Sequence, residues 1–212
     1  MIWILPCGCT LLCLGVCLPL FLHYKPRKPF LGALFKSLGT VCALVPALTA
    51  ALRLDPLYWF FAVAILIHAC ADYLLEFWFE MGVGAFLLGH VCYLFAFLKL
   101  FPVSVAHLIL AVGFLAYMVW LFIRHKSRMG RHLLPICVYG AVLCLMASCG
   151  IAGGATSYSL KGVMISLGAA LFFFSDHLIL QDLLFPDRKH LDVLIMVTYY
   201  LAQLLLGFSC MV

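Results

Sequence analysis

The sequence predicts an all-α integral membrane protein that forms one compact bundle of eight transmembrane helices over residues 1–212. Of the 212 residues, 67% are hydrophobic and only 10% are charged, whereas a soluble domain carries about 25% charged residues. Apolar runs of about 20 residues, the length that crosses a bilayer as a helix, recur along the whole chain. These observations exclude a water-soluble globule and leave no room for a soluble domain between the runs.

Short breaks that contain proline, glycine or charged residues separate the apolar runs. The predicted spans are 3–22, 30–52, 57–77, 82–100, 102–123, 133–152, 160–182 and 191–211. The breaks are marked by Pro26 and Pro29, Asp55 and Pro56, Pro102, Gly153 and Gly154, and Pro186. The first run is interpreted as a span, because it lacks the basic start and the cleavage site of a signal peptide. Because the connections are short, consecutive helices are predicted to be antiparallel.

The distribution of basic residues predicts the orientation of the bundle. Nine of the 13 lysines and arginines lie in the odd-numbered connections, three lie in the even-numbered ones, and Lys36 lies inside the second span. The positive-inside rule therefore places the odd connections in the cytoplasm and both termini on the non-cytoplasmic side. On this topology, the polar residues inside the spans fall in the cytoplasmic half, where we expect a pocket. The net charge of +5 is thus a topology signal, and no nucleic-acid partner is predicted.

Two aspartates inside apolar runs are the candidate catalytic residues. Asp176 lies in LGAALFFFSDHLILQD and Asp72 lies in ILIHACADYLLEF. An ionisable group inside a span is costly and is a functional-site hypothesis by default. Two carboxylates in one pocket of low dielectric cannot both ionise cheaply, so we expect one protonated and one charged group, which suits general acid and base catalysis. The alternative is a structural pair of acids that cap helices or bind a lysine.

Further polar residues inside the spans are candidates for binding substrate or for setting the protonation of the aspartates. Lys36 is expected to neutralise one aspartate or to bind a phosphate, with snorkelling to the interface as the alternative. The other candidates are His90, Tyr139, Tyr199, Tyr200 and Gln203. For the tyrosines at 199 and 200 the alternative is a membrane-interface position, and for His90 and Tyr139 it is an interhelical hydrogen bond.

Other polar residues receive a simpler interpretation. Glu76, Glu80 and Asp182 are interpreted as interfacial charges. A zinc site built from His68, His90, His177 and the aspartates is weighed and set aside, because no motif of fixed ligand spacing occurs. No metal and no cofactor is predicted. A faint similarity between ADYLLE in the third span and SDHLIL in the seventh suggests a weak four-plus-four parallel repeat.

Six segments of the chain together resemble the YhhN-like lysoplasmalogenase family of multi-pass membrane proteins. In family order they are FKSLGTV around Lys36, ADYLLE around Asp72, GHVCYLFAF around His90, LPICVYGAVLCLM around Tyr139, LGAALFFFSDHLIL around Asp176 and LIMVTYYLAQLLL around Tyr199 and Gln203. No single segment is very specific, but the ordered set is. Ser37 stands where the family often has proline and Ala71 where it often has glycine, and neither departure removes a reactive group.

The resemblance implies hydrolysis of the vinyl ether bond of lysoplasmalogens to a fatty aldehyde and glycerophosphocholine or glycerophosphoethanolamine. The expected partners are this lipid substrate and the surrounding membrane lipids, and for a eukaryotic source the expected location is the endoplasmic reticulum membrane. Protonation of the alkenyl carbon followed by attack of water needs an acid and a base, as in glycoside hydrolysis, and Asp72 and Asp176 are predicted to be that pair. A proton-coupled or small-solute transporter is the main alternative, and a non-catalytic lipid-binding protein is a third.

Overall fold

The computed structural model describes residues 4–185 and 191–212, and within these residues every regular element is helical. Helices α1 (Ile4–Thr10) and α2 (Leu18–Tyr24) are joined by a π-helical segment, Leu11–Cys17. The remaining helices are α3 (Pro29–Arg53), α4 (Trp59–Phe77), α5 (Phe79–Leu100), α6 (Val105–Met129), α7 (Leu133–Thr156), α8 (Leu160–Leu184) and α9 (Leu191–Ser209). Short 3-10 turns, Pro56–Tyr58 and Gly130–His132, precede α4 and α7.

Seven helical stretches within the described residues are long and apolar enough to cross a membrane, so the chain is an integral membrane protein. One stretch, Val105–Thr156, has 52 residues, which at about 1.5 Å per residue is more than twice the thickness of a bilayer core. It contains α6 and α7, and Gly130 between them has a φ of +53° that only glycine adopts readily. These two helices pack on each other. Counting them separately gives the predicted eight spans, and that number and the sides of the termini stay predictions.

The observed helix ends differ from the predicted ends where local contacts decide them. Helix α6 starts at Val105 because Ser104 caps it together with His107. The break predicted at Gly153 and Gly154 is wrong, since both residues lie inside α7. These glycines allow close packing, because a Cβ at Gly154 would collide with the main-chain oxygen of Gly162 on α8. The predicted features at Pro186, Arg188 and Lys189 lie outside the described residues.

Six helices form a closed ring in the order α3, α4, α5, α7, α8 and α9, with α9 returning to α3. The N-terminal helices pack outside the ring on α3, and α6 packs outside the ring on α7. The order of neighbours in the second half of the chain therefore parallels the order in the first half. This arrangement is the one that a four-plus-four repeat requires, and the repeat itself stays a prediction.

A layer of four aromatic side chains packs between the helices of the ring. This aromatic layer consists of Phe61, Tyr93, Phe97 and Phe172, which contact one another ring to ring and are at most 1% exposed. Along α4, Phe61 precedes Asp72 by about three turns of helix, or about 16 Å. Phe61 thus lies well away from Asp72 along the helix axis, whereas Tyr93 and Phe172 reach the candidate site and contact the ring of His68.

Candidate active site

Two neighbouring cavities share Asp176 in their lining. The polar chamber, of about 140 Å³, is lined by Phe21, Lys25, Lys36, Asp72, Leu75, Glu76, Phe86, Asp176, Ile179, Asp182, Asp192, Ile195, Met196 and Tyr199. The apolar chamber, of about 70 Å³, is lined mainly by hydrophobic side chains of α4 to α8. Four residues line both chambers and form a shared wall: Leu75, Phe86, Asp176 and Ile179. A ligand with a polar head and an apolar tail fits such an arrangement.

Asp72 is held in the wall of the polar chamber by one of its two carboxylate oxygens. Its Oδ2 atom accepts hydrogen bonds from the hydroxyl of Thr40 at 2.5 Å and from the hydroxyl of Tyr199 at 2.8 Å. The side chain is 1% exposed, and its Oδ1 atom has no partner among the described residues. A buried polar atom without a partner is rare and calls for an explanation. Oδ1 is therefore a buried acceptor whose hydrogen-bonding capacity the described side chains leave unused.

Asp176 lies on the shared wall and lines both chambers. Its Oδ2 atom accepts a hydrogen bond from the hydroxyl of Tyr139 and lies 3.3 Å from Nε2 of His90. The two aspartates line the same polar chamber without a direct hydrogen bond to each other in the described structure. The predicted convergence of Asp72 and Asp176 on one pocket is thus what the structure has, and their roles are not settled by it.

Lys36 binds a different carboxylate from the one the sequence suggested. Its Nζ atom donates a hydrogen bond to Oε1 of Glu76 at 2.8 Å, and the two side chains are 9% and 20% exposed. The direct ion-pair partner of Lys36 is thus Glu76 and not an aspartate, although Lys36 and Asp72 line the same chamber. The interpretation of Glu76 as a purely interfacial charge is wrong. The reason is register, because one more turn of α4 beyond Asp72 brings Glu76 level with Lys36 on α3.

Gln203 links several groups behind the polar chamber. Its amide nitrogen donates hydrogen bonds to the hydroxyl of Tyr199 at 3.2 Å and to Nδ1 of His68 at 2.9 Å, while its oxygen accepts one from Tyr93 at 2.8 Å. His68 Nδ1 is thus an acceptor, so the ring carries its proton on Nε2, which donates to the main-chain oxygen of Phe86 at 3.2 Å. Gln203 therefore fixes the position of Tyr199 without lining the chamber.

The two buried histidines complete a polar network between the aspartates. The rings of His68 and His90 are in edge contact, with centroids 4.9 Å apart. Hydrogen bonds lead from His68 through Gln203 and Tyr199 to Asp72, and from His90 to Asp176. Nδ1 of His90 has no partner among the described residues. The two halves of the site are therefore connected through packed polar side chains.

Tyr200 does not line the chamber, which corrects its predicted place in the pocket. Its hydroxyl donates to the main-chain oxygen of Lys36 at 2.9 Å, and its ring lies against Gly39. A Cβ at Gly39 would collide with that ring. Tyr200 is therefore a packing residue that ties α9 to α3, while the adjacent Tyr199 faces the site.

Sequence analysis missed five residues of the site. Thr40 follows Lys36 by one helical turn, and Glu76 follows Asp72 by one helical turn. That spacing is the signal that could have found them. Nζ of Lys25 lies 2.9 Å from Oδ1 of Asp192 at the polar chamber, and no local sequence pattern predicts this contact. Asp182, interpreted as interfacial, also lines the chamber.

The three histidines considered as metal ligands do not lie together. His68 and His90 adjoin, whereas His177 lies within 3.3 Å of the hydroxyl of Tyr117 on the side of the apolar chamber. Across residues 4–185 and 191–212, no three histidine, cysteine, aspartate or glutamate side chains converge as a group able to hold a metal ion.

Comparison with known proteins assigns the family. The model of the YhhN family matches residues 31–210, which is most of the chain and includes both aspartates. The chain belongs to the YhhN family. Two curated relatives of this YhhN chain are the lysoplasmalogenases TMEM86B of Homo sapiens, 32% identical over 140 residues, and of Rattus norvegicus, 31% identical over 134 residues.

Both alignments cover 63% of the YhhN chain, and they cover 54% of the human and 52% of the rat protein. The chain thus spans about half the length of the curated relatives it matches. No solved structure matches this YhhN chain. Lys25 precedes the residues matched by the family, whereas all the other polar residues of the chamber lie within them.

Proposed function

We propose that the chain is a lysoplasmalogenase that hydrolyses the vinyl ether bond of lysoplasmalogens. The products are a fatty aldehyde and glycerophosphocholine or glycerophosphoethanolamine. The observation that carries the proposal is the position of Asp176 on the wall between a polar and an apolar chamber, with Asp72 facing the same polar chamber. Membership of the YhhN family and the similarity to lysoplasmalogenases support it.

The substrate is placed by matching its chemistry to the two chambers. The alkenyl chain enters the apolar chamber, and the glycerophospho headgroup enters the polar chamber beside Lys36. The vinyl ether lies between chain and glycerol, so it reaches the shared wall at Asp176. Binding of the remote chain and headgroup then holds the reacting bond against the carboxyl group, which is where positioning accelerates a reaction.

Asp176 supplies the proton in the first step. Its carboxyl group protonates the alkenyl carbon that is not bonded to oxygen, and the cation that results is an oxocarbenium ion at the other alkenyl carbon. Tyr139 and His90 hold the carboxylate that remains, whose negative charge stabilises the cation at close range. This division of work between two carboxyl groups parallels glycoside hydrolysis.

Asp72 activates the water in the second step. Water bound to its free Oδ1 atom loses a proton to Asp72 as its oxygen attacks the oxocarbenium carbon, giving a hemiacetal. The hemiacetal hydroxyl then gives up its proton to Asp176, the bond to the glycerol oxygen breaks, and that oxygen takes the proton held by Asp72. The net change is one water consumed, one aldehyde and one alcohol formed, and Asp176 protonated again.

The other polar residues set the geometry of these two groups. Tyr199 and Thr40 orient Asp72, Gln203 orients Tyr199, and Lys36 binds the phosphate of the headgroup. The pocket lies in the cytoplasmic half of the bundle, in the endoplasmic reticulum membrane of a eukaryotic cell. The cytoplasmic side follows from the positive-inside rule, and the endoplasmic reticulum is the location that the family resemblance implies.

A transporter is the competing function, and one observation disfavours it. Alternating access needs a route to both faces of the membrane, whereas the buried aromatic layer packs between the ring helices directly behind the polar network of the site. A one-sided pocket of this kind suits an enzyme that takes its substrate from one leaflet.

The decisive experiment gives detergent-purified protein a vinyl-ether lysolipid and its acyl-ester counterpart, and measures free aldehyde and free fatty acid. Aldehyde release from the vinyl ether alone is the expected result. Cleavage of the ester alone makes the protein a lysophospholipase, and cleavage of neither lipid removes the proposal.

A further inference from the structure

The ion pair between Lys25 and Asp192 lies in the wall of the polar chamber. Nζ of Lys25 is 2.9 Å from Oδ1 of Asp192, and the side chains are 38% and 49% exposed. Lys25 follows the last turn of α2, and Asp192 lies in the first turn of α9. Neither residue is needed for the two proton-transfer steps, so the pair requires another explanation.

A second lysine projects into the same region of the chamber. The ammonium groups of Lys25 and Lys36 both lie over the ring of Phe21, at 5.6 and 5.9 Å from its centroid. Each lysine is held by its own carboxylate, Asp192 or Glu76, and neither carboxylate belongs to the catalytic pair. Two cations thus face one chamber, close enough to share one aromatic ring.

We propose that Lys25 and Asp192 form a headgroup clamp that opens on a zwitterionic phosphodiester, with the phosphate moving onto Lys25 and Lys36 and the ammonium group onto Asp192. The proposal rests on the proposed function and names specificity-determining residues for it. On binding, Lys25 exchanges the carboxylate of Asp192 for the negatively charged phosphate. Asp192 exchanges the ammonium group of Lys25 for the positively charged ammonium group of the ligand. A lipid with only the phosphate leaves Asp192 unpaired, and a lipid without a headgroup leaves the clamp closed.

The exposure of the clamp makes such an exchange inexpensive. Half-exposed ion pairs contribute little net stability because water screens them, so the cost of separating Lys25 from Asp192 is small. The clamp and the two aspartates line the same chamber of about 140 Å³, so the glycerol portion has its place between clamp and reacting bond. Lys25 also precedes the matched family residues 31–210, so the N-terminal helix adds this contact to the family core.

The test compares three lipids that carry the same alkenyl chain: the lysophosphocholine, the glycerol phosphate monoester and the alkenylglycerol without a headgroup. For Lys25→Ala we expect the ratio of kcat/KM for the lysophosphocholine to that for the alkenylglycerol to fall about tenfold, as for one lost charge-assisted hydrogen bond. The loss is expected in KM, with kcat changed less than about twofold. Asp192→Asn is expected to lower kcat/KM more for the lysophosphocholine than for the phosphate monoester.

Two further variants separate recognition from folding. Lys28→Ala removes the same charge from the same connection, but Lys28 does not line the chamber, and it is expected to keep the native ratio. The charge swap Lys25→Asp with Asp192→Lys restores an ion pair with reversed positions. The swapped protein is expected to fold as the native protein does. Its ratio of kcat/KM for the lysophosphocholine to that for the alkenylglycerol is expected to stay as low as in Lys25→Ala.

Unchanged selectivity in Lys25→Ala or Asp192→Asn would overturn the clamp, and so would an equal loss of kcat for all three lipids, which indicates a structural role. If the native protein releases no aldehyde from any of the lipids, it is the proposed function that fails. Binding of a saturated-ether lysophosphocholine then still tests the clamp, because Lys25→Ala must weaken it about tenfold, and equal binding by the two proteins contradicts it.

Discussion

Tyr199 donates a hydrogen bond to Oδ2 of Asp72 at 2.8 Å, across a separation of 127 residues in the chain. The contact joins α9 to α4 on the wall of the polar chamber. Since Thr40 donates to the same oxygen, both anchoring bonds use one side of the carboxyl group. The other oxygen is buried and has no partner among the described residues. This asymmetry is the basis of the role proposed for Asp72 in activating water.

Replacing either aspartate is expected to abolish turnover. Asp72→Asn and Asp176→Asn preserve shape but cannot transfer a proton, so each should lower kcat at least about 100-fold. The measurement is aldehyde release from a vinyl-ether lysolipid by purified protein. Glu80→Gln is the matched control, because Glu80 is exposed and absent from both chambers, and its rate should match the native rate. Full activity of either folded asparagine variant contradicts the mechanism.

Tyr139 is expected to contribute through the hydroxyl that it donates to Asp176. Tyr139→Phe removes this donor and should lower kcat about tenfold, as for the loss of one hydrogen bond to a charged group. Tyr117→Phe removes a hydroxyl that contacts His177 instead and should have little effect. Equal rates for the Tyr139 variant and the native protein would show that the hydroxyl only links helices.

The ring depends on close contact between α3 and α9. A Cβ at Gly207 would collide with the main-chain oxygen of Ala43, whereas a Cβ at Gly113 meets nothing. Gly207→Ala should therefore lower the free energy of unfolding by about 1–3 kcal/mol, and Gly113→Ala should leave it unchanged or raise it slightly. Thermal unfolding in detergent measures both. A Gly207→Ala protein as stable as the native one would mean that the two helices have room to separate.

The ion pair of Lys36 and Glu76 is expected to show coupling in a double-mutant cycle. Lys36→Met or Glu76→Gln alone leaves a largely buried charge without its partner, so each should destabilise the protein. The double variant should lose less than the sum of the two single losses, with a coupling of about 0.5–3 kcal/mol. If the losses of stability measured by thermal unfolding are additive, the two side chains do not interact in the folded protein.

The apolar chamber is expected to determine which lengths of alkenyl chain the enzyme prefers. Val83 lines this chamber, and Val83→Trp should shift the preference, measured as kcat/KM, from long to short alkenyl chains. Leu88→Trp on the same helix is the control, because Leu88 is 58% exposed on the outer surface and should leave the preference unchanged. A Val83→Trp enzyme with native chain selectivity would place the alkenyl chain elsewhere.

Much of the site was accessible from the sequence because charge inside an apolar run is conspicuous. Asp72, Asp176 and Lys36 each interrupt a hydrophobic stretch, and a membrane tolerates such residues mainly where they face a cavity. The two tyrosines at 199 and 200 mark the limit of that argument. They are adjacent in sequence and equal in chemistry, and only the packing of α9 decides that Tyr199 faces the chamber while Tyr200 faces Gly39.

The sequence by itself determined the all-helical membrane class, the approximate helix ends and the presence of buried carboxylates, because all of these depend on local hydrophobicity. Only the tertiary structure decided which charges meet. Pairing of Lys36 with Glu76 and of Lys25 with Asp192 follows from the register of helices that are far apart in the chain. The division of the site into two chambers at Asp176 has the same origin, since a cavity is the space that several packed helices leave unfilled.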